Sequence, residues 1–148
     1  MADDTFLTIQ NALITLGRRA ADPRGNRQIQ ERAGVAIERA EAVMLYRLGE
    51  LEPARLSELA EAAGVEISTA SRPMARLVAQ GYVERRPDPS DGRAIVHRLT
   101  AEGRELLTRL TDARDRWLED LLADFDDDDR ARFAELLDRF VRNITAAS

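Results

Sequence analysis

The sequence predicts a mainly α-helical chain with one small β-hairpin. Three observations carry that fold class. Apolar residues recur at three- and four-residue spacings through most of the 148 residues, the period of helices with one buried face. One stretch breaks the period: Tyr82–Arg86 and Ala94–Leu99 read as strands around Pro87-Asp88-Pro89-Ser90-Asp91-Gly92-Arg93. That hairpin directly follows a short helix, a glycine turn and a longer helix, the order of a helix-turn-helix.

The elements follow in order. Phe6, Ile9, Leu13, Leu16 and Ala20 mark a helix over residues 3–21 with a narrow apolar stripe, which needs a partner to be stable in water. Asp22-Pro23-Arg24-Gly25-Asn26 is expected to break it, and a polar stretch from Arg27 to Arg32 leads on. Ile37, Ala40, Val43, Met44, Leu45 and Leu48 predict a second helix over 36–49, stopped by Gly49. Leu56, Leu59, Ala60 and Ala63 predict a third over 55–63. After the Ala63-Gly64-Val65 turn, a fourth runs from Ser68 to Gln80 and ends at Gly81. In the hairpin, Asp91-Gly92 is the expected turn dipeptide, and Pro87 and Pro89 remove edge donors. Thr100 is the expected N-cap of a long helix through Leu122. Asp126-Asp127-Asp128-Asp129 then opens a last helix carrying Phe133, Leu136, Leu137, Phe140, Val141 and Ile144; its charge suits a helix N-terminus better than a metal loop.

Composition narrows function. With no cysteine, disulfides, thiolate metal sites and thiol redox sensing are excluded; the one histidine, His97, reads as packed or solvated. No metal or cofactor site is expected, and no nucleophile–base arrangement or glycine-rich phosphate loop speaks for an enzyme. The chain carries no membrane span or signal peptide, so a cytoplasmic location is expected. All 22 basic residues are arginine. The net charge of -5 is uneven: residues 66–99 hold 6 arginines against 4 acids, residues 1–65 hold 8 against 10, and residues 100–148 hold 8 against 13. The positive third is the helix-turn-helix with its hairpin, which points to a nucleic-acid partner.

The run Leu59-Ala60, Gly64-Val65, Ser68-Thr69-Ala70-Ser71-Arg72, Leu77, Gly81-Tyr82-Val83-Glu84-Arg85, followed by Asp91-Gly92-Arg93 and Leu99-Thr100-Ala101-Glu102-Gly103, resembles the MarR family of transcriptional regulators. The motifs cover roughly residues 35–110, and the order and length of the flanking helices extend the likeness to nearly all of 1–148. The resemblance implies a winged helix-turn-helix lobe over 35–100, flanked by N- and C-terminal dimerisation helices in 1–34 and 101–148. It also implies a homodimer on palindromic double-stranded DNA operators, released in many members by a small-molecule effector. A repressor is expected; the alternative is a winged-helix module that binds protein without specific DNA binding.

On the fourth helix, Thr69, Arg72 and Arg76 are expected to enter the major groove, with Ser68 and Ser71 toward phosphate or bases. Arg93 is expected at a minor groove, with Asp91 holding the turn or steering Arg93. Arg85 and Arg86 alternate across their strand, and Arg86 is taken as the DNA-facing one. Arg55 and Ser57 open the third helix, where they either meet a phosphate or, for Ser57, cap the helix. Pro73 departs from the family pattern. Either it kinks a recognition helix that starts near Ser68, or that helix starts later and holds Pro73 in its first turn.

Overall fold

The computed structural model describes residues 2–147. Along the chain lie α1 (Ala2–Ala21), α2 (Pro23–Ala33), α3 (Arg39–Leu51), α4 (Leu56–Ala63), α5 (Ile67–Ala79), β1 (Val83–Asp88), β2 (Asp91–Leu99), α6 (Ala101–Leu121) and α7 (Asp127–Ala146). The chain divides into two compact units, one ending at Ala113 and one starting at Arg114.

The first unit is built on a single apolar core. Met44, Leu45 and Leu48 of α3, Leu59 of α4, Met74 and Leu77 of α5, Val83 and Leu99 of the hairpin, and Leu106 and Leu110 of α6 are all buried in it. The helix-turn-helix has the expected punctuation. Gly64 takes a left-handed φ of 68°, which an L side chain resists, and its N–H closes α4 on the Glu61 carbonyl at 3.0 Å. Gly81 turns the chain out of α5 at a φ of 82°.

Three expectations are corrected here. Residues 22–32 are not a break and a polar stretch but the helix α2. Asp22 caps it by accepting from the Arg24 N–H at 3.0 Å, and Pro23 stands at the start, where its missing N–H costs nothing. Gly49 does not stop the second helix, which begins at Arg39 and continues to Leu51. Gly49 is there for close approach, since an added Cβ would overlap the Leu107 side chain of α6. Asp91-Gly92 is not the hairpin turn: both residues belong to β2, Gly92 has no left-handed φ, and the turn is Pro89-Ser90. The Asp88 carboxylate makes this turn by accepting from the Ser90 N–H at 2.9 Å and its Oγ at 2.8 Å.

The ambiguity at Pro73 is resolved. Helix α5 starts at Ile67 and holds Pro73 in its interior. The hairpin pairs Val83 with Leu99 through Pro87 with Ile95, with an irregularity at Pro87/Asp88. One further β-bridge joins β2 to the α3–α4 connection: His97 N–H donates to the Ala54 carbonyl at 2.7 Å and Ala54 N–H returns to the His97 carbonyl at 3.2 Å. At the hairpin's root, Glu52 Oε2 accepts from the Leu99 N–H at 2.8 Å while its other oxygen pairs with Arg104. Thr100 is the N-cap expected of it, accepting from the Gly103 N–H at 3.0 Å and donating to the Gly81 carbonyl at 2.6 Å.

In the second unit, Asp126 caps α7 by accepting from the Asp129 N–H at 2.8 Å, and Asp127–Asp129 lie in the first turn, where negative charge suits the helix dipole. Phe125 packs edge-on to Phe133, centroids 5.8 Å apart. The α7 residues Phe133, Leu136, Leu137, Phe140, Val141 and Ile144 are all exposed.

Candidate nucleic-acid interface

The amphipathic period of α5 separates two faces. Ala70, Met74 and Leu77 are buried, and Ser68, Thr69, Ser71 and Arg72 are exposed. Arg72 lies nearly opposite the core stripe, two residues from Ala70 and Met74 at 100° per residue. This row of two serines, a threonine and a guanidinium offers donors and acceptors on a helix free to meet a groove.

Arg76 is held elsewhere. Its Nη1 lies 2.5 Å from Glu38 Oε1 and 3.7 Å from Glu41 Oε1, at the start of α3. Glu38 first, and then Glu41, raise the Arg76 pKa above its ordinary value. Glu41 is buried, and its other oxygen accepts from the Glu38 N–H at 2.9 Å, so the pair fixes the α3 N-terminus and Arg76 together. The glutamates three residues apart before an apolar helix were a legible capping signal; their partner on α5 was not.

The wing presents Arg86 and Arg93, both exposed. Arg86 Nη2 pairs with Glu84 Oε2 on the same strand at 3.0 Å. Asp91 Oδ1 accepts from the Arg93 backbone N–H at 3.1 Å, an Asx turn that holds the chain at Arg93. Arg85 sits in register with His97. His97 is 7% exposed, with Nδ1 3.3 Å from the Ala54 carbonyl. Burial pushes its pKa down, the Ala54 carbonyl opposes this, and the Arg85 charge adds to it.

Arg55 is the N-cap residue of α4, and Ser57 lies exposed one position inside the first turn. Glu58 Oε2 accepts from the Arg55 N–H at 2.7 Å, so Ser57 is not the cap. The Arg55 guanidinium reaches the wing: Nε and Nη2 donate to Asp88 Oδ2 at 2.8 and 2.6 Å. The Asp88 carboxyl is held at about 2, first by the Ser90 N–H, then by Arg55 and the Ser90 hydroxyl. Asp88, Glu38 and Glu41 were not among the residues singled out from sequence. Asp88 stands 33 residues from Arg55, a separation that no local pattern spans.

Comparison with known proteins assigns the chain to a family. Residues 37–95 match the model of the MarR family. The chain is 38% identical over 112 residues to the HTH-type transcriptional regulator YxaD of Bacillus subtilis (strain 168), covering 76% of this chain and 78% of that protein. The chain belongs to the MarR family. A MarR family protein from Bacillus stearothermophilus has the same fold, with a TM-score of 0.81 at 21% identity over 98% of this chain and 99% of that one. The PcaV transcriptional regulator from Streptomyces coelicolor, solved in complex with its natural ligand, gives a TM-score of 0.65 at 25% identity over 86% and 89%. MarR proteins are transcriptional regulators, not a class of enzyme. Among the described residues no helix is long and apolar enough to cross a membrane.

Proposed function

We propose that this MarR-family regulator binds palindromic double-stranded operators as a homodimer in the cytoplasm and represses transcription until a small-molecule effector releases it. The observation that carries the reading is the exposed row Ser68, Thr69, Ser71 and Arg72 on α5, followed in the chain by a wing with exposed Arg86 and Arg93. In this reading Thr69 and Arg72 address base edges, Ser68 and Ser71 address phosphate or bases, and Arg93 enters a minor groove with Asp91 shaping its backbone. Ser57 meets a phosphate near the α4 N-terminus. Arg76 and Arg86 contribute by exchanging their carboxylate partners for phosphate.

The lobe spans 35–100, and dimerisation falls to helices in 1–34 and 101–148. Support comes from apolar side chains left in water: Phe6, Ile9, Leu13 and Leu16 on α1, and the six exposed apolar residues of α7. Patches of that extent mark interaction surfaces. An effector acts only by binding one spacing of the two lobes better than the other; that PcaV was solved with its natural ligand supports a small-molecule effector here.

Selection from random duplexes tests the proposal. The full chain should enrich palindromes whose half-sites lie about one helical turn, roughly 34 Å, apart, and should release them as salt rises. Failure to retain any duplex at low salt refutes it, and leaves the protein-binding module as the reading.

A further inference from the structure

The geometry points to Asp88 as a positioning residue for DNA binding: with Arg55 it forms a strut that fixes the wing against the start of α4. The inference rests on the DNA-binding reading above.

Four donors converge on the Asp88 carboxylate. Oδ2 takes Arg55 Nε and Nη2 at 2.8 and 2.6 Å, and Oδ1 takes the Ser90 N–H and Oγ at 2.9 and 2.8 Å. One oxygen therefore faces the helix-turn-helix and the other builds the turn. The carboxylate is 12% exposed, while the Arg55 side chain is 40% exposed and bonded on one edge. Asp88 is also the last paired residue of β1, opposite Asp91, whose own side chain sets the Arg93 backbone. The side-chain bonds run from Arg55 through Asp88 to Ser90, and the backbone carries the turn on to Asp91, which bonds the Arg93 N–H.

A two-stranded ribbon is marginally stable alone and bends easily along its length. Its root is tied by Glu52, Ala54 and Thr100. The strut supplies a second anchor at the tip end. Without it the wing touches the same groups once bound, but must first be ordered, and that cost falls on affinity.

This assignment inverts a simple charge argument. If Arg55 served only to meet a phosphate, Asp88 would compete for it, and neutralising Asp88 would tighten binding. A strut requires the opposite sign. It also requires the planar fork of arginine, since a lysine keeps the charge but cannot place two donors side by side on Asp88 Oδ2.

The test uses the full chain and a duplex enriched by the selection above, with Kd measured across salt concentrations for wild type, Asp88→Asn and Arg55→Lys. Both variants should bind about tenfold more weakly, within the range over which neighbouring residues couple. Both should keep the wild-type slope of log K against log salt, because the same phosphates remain neutralised; each phosphate left unneutralised would lower the slope by about 0.9. Binding by Asp88→Asn as tight as wild type or tighter overturns the strut, as does a wild-type affinity for Arg55→Lys. Arg55→Lys carries the test alone if Asp88→Asn does not fold. If wild type enriches no duplex, the DNA-binding reading falls instead.

Discussion

Replacing Pro73 with alanine should stabilise the protein. Pro73 lies in the interior of α5, well past the first turn, so its missing N–H leaves the Thr69 carbonyl without its helical donor. An interior proline costs about 3 kcal/mol relative to alanine. Two terms offset the gain. Proline restricts the unfolded chain, and giving that up costs up to about 1 kcal/mol. The ring is half-buried, so losing two methylenes costs about another 0.8 kcal/mol at roughly 0.8 kcal/mol per fully buried group. About 1 kcal/mol remains. Thr69 is exposed, so water already meets its carbonyl in part, which keeps the net at the low end. For a chain of this size the melting point should rise by about 2–4 °C. Thermal unfolding followed by far-ultraviolet circular dichroism, at one fixed protein concentration, reads the change. A melting point equal to or below that of wild type refutes the reasoning, by showing that the ring's packing and its restriction of the unfolded chain outweigh the missing bond.

Gly103→Ala should destabilise by about 1–3 kcal/mol or more, since an added Cβ overlaps the Tyr82 carbonyl, which is backbone and cannot turn aside. Gly49→Ala overlaps only the flexible Leu107 side chain, so its urea midpoint should fall less; the reverse ranking would contradict the packing account. Stability should also depend on pH through His97. Burial depresses its folded pKa, so the unfolded chain takes the proton first, and the contribution is whole above about pH 6.5 and declines as pH falls below it. Urea midpoints at about pH 7.5 and about pH 5.5, either side of the ordinary histidine pKa, should differ less for His97→Gln than for wild type, and an equal difference would sink the argument. The contribution of Asp88 is retained down to about pH 3.8 and is lost as pH falls from there to about 2. Arg72→Ala should weaken DNA binding and relax selection at the base it reads by about 1–3 kcal/mol, with little change in the salt slope; unchanged affinity would remove α5 from the interface.

Local signals in the sequence located most elements, and long-range pairings escaped it. Gly64, Gly81 and Thr100 could be placed because a left-handed turn or a cap needs only neighbours in the chain. Helix α2 was missed even though its signal was there: Asp22 followed by Pro23 both ends one helix and starts the next, and the polar residues behind it hid the second meaning. Gly49 looks like a stop in one dimension and is a close approach to α6 in three. The exposed row on α5 followed from periodicity. The partners of Arg55 and Arg76 did not, because an arginine's reach is set by packing between elements far apart in sequence.

The bridge between Ala54 and His97 bears on how the lobe assembles. It closes a loop 43 residues long that contains α4, α5 and β1. Closing a flexible loop of that length would cost about 3.3 kcal/mol in chain entropy, before any constant term. Once α4 and α5 have packed, much of that loop is already compact and the closure is short. The order that entropy favours is therefore helices first and bridge last. Interactions made after the rate-limiting step govern how slowly a protein unfolds, not how fast it folds. In kinetic terms that order makes the wing a latch: weakening the bridge should speed unfolding more than it slows folding.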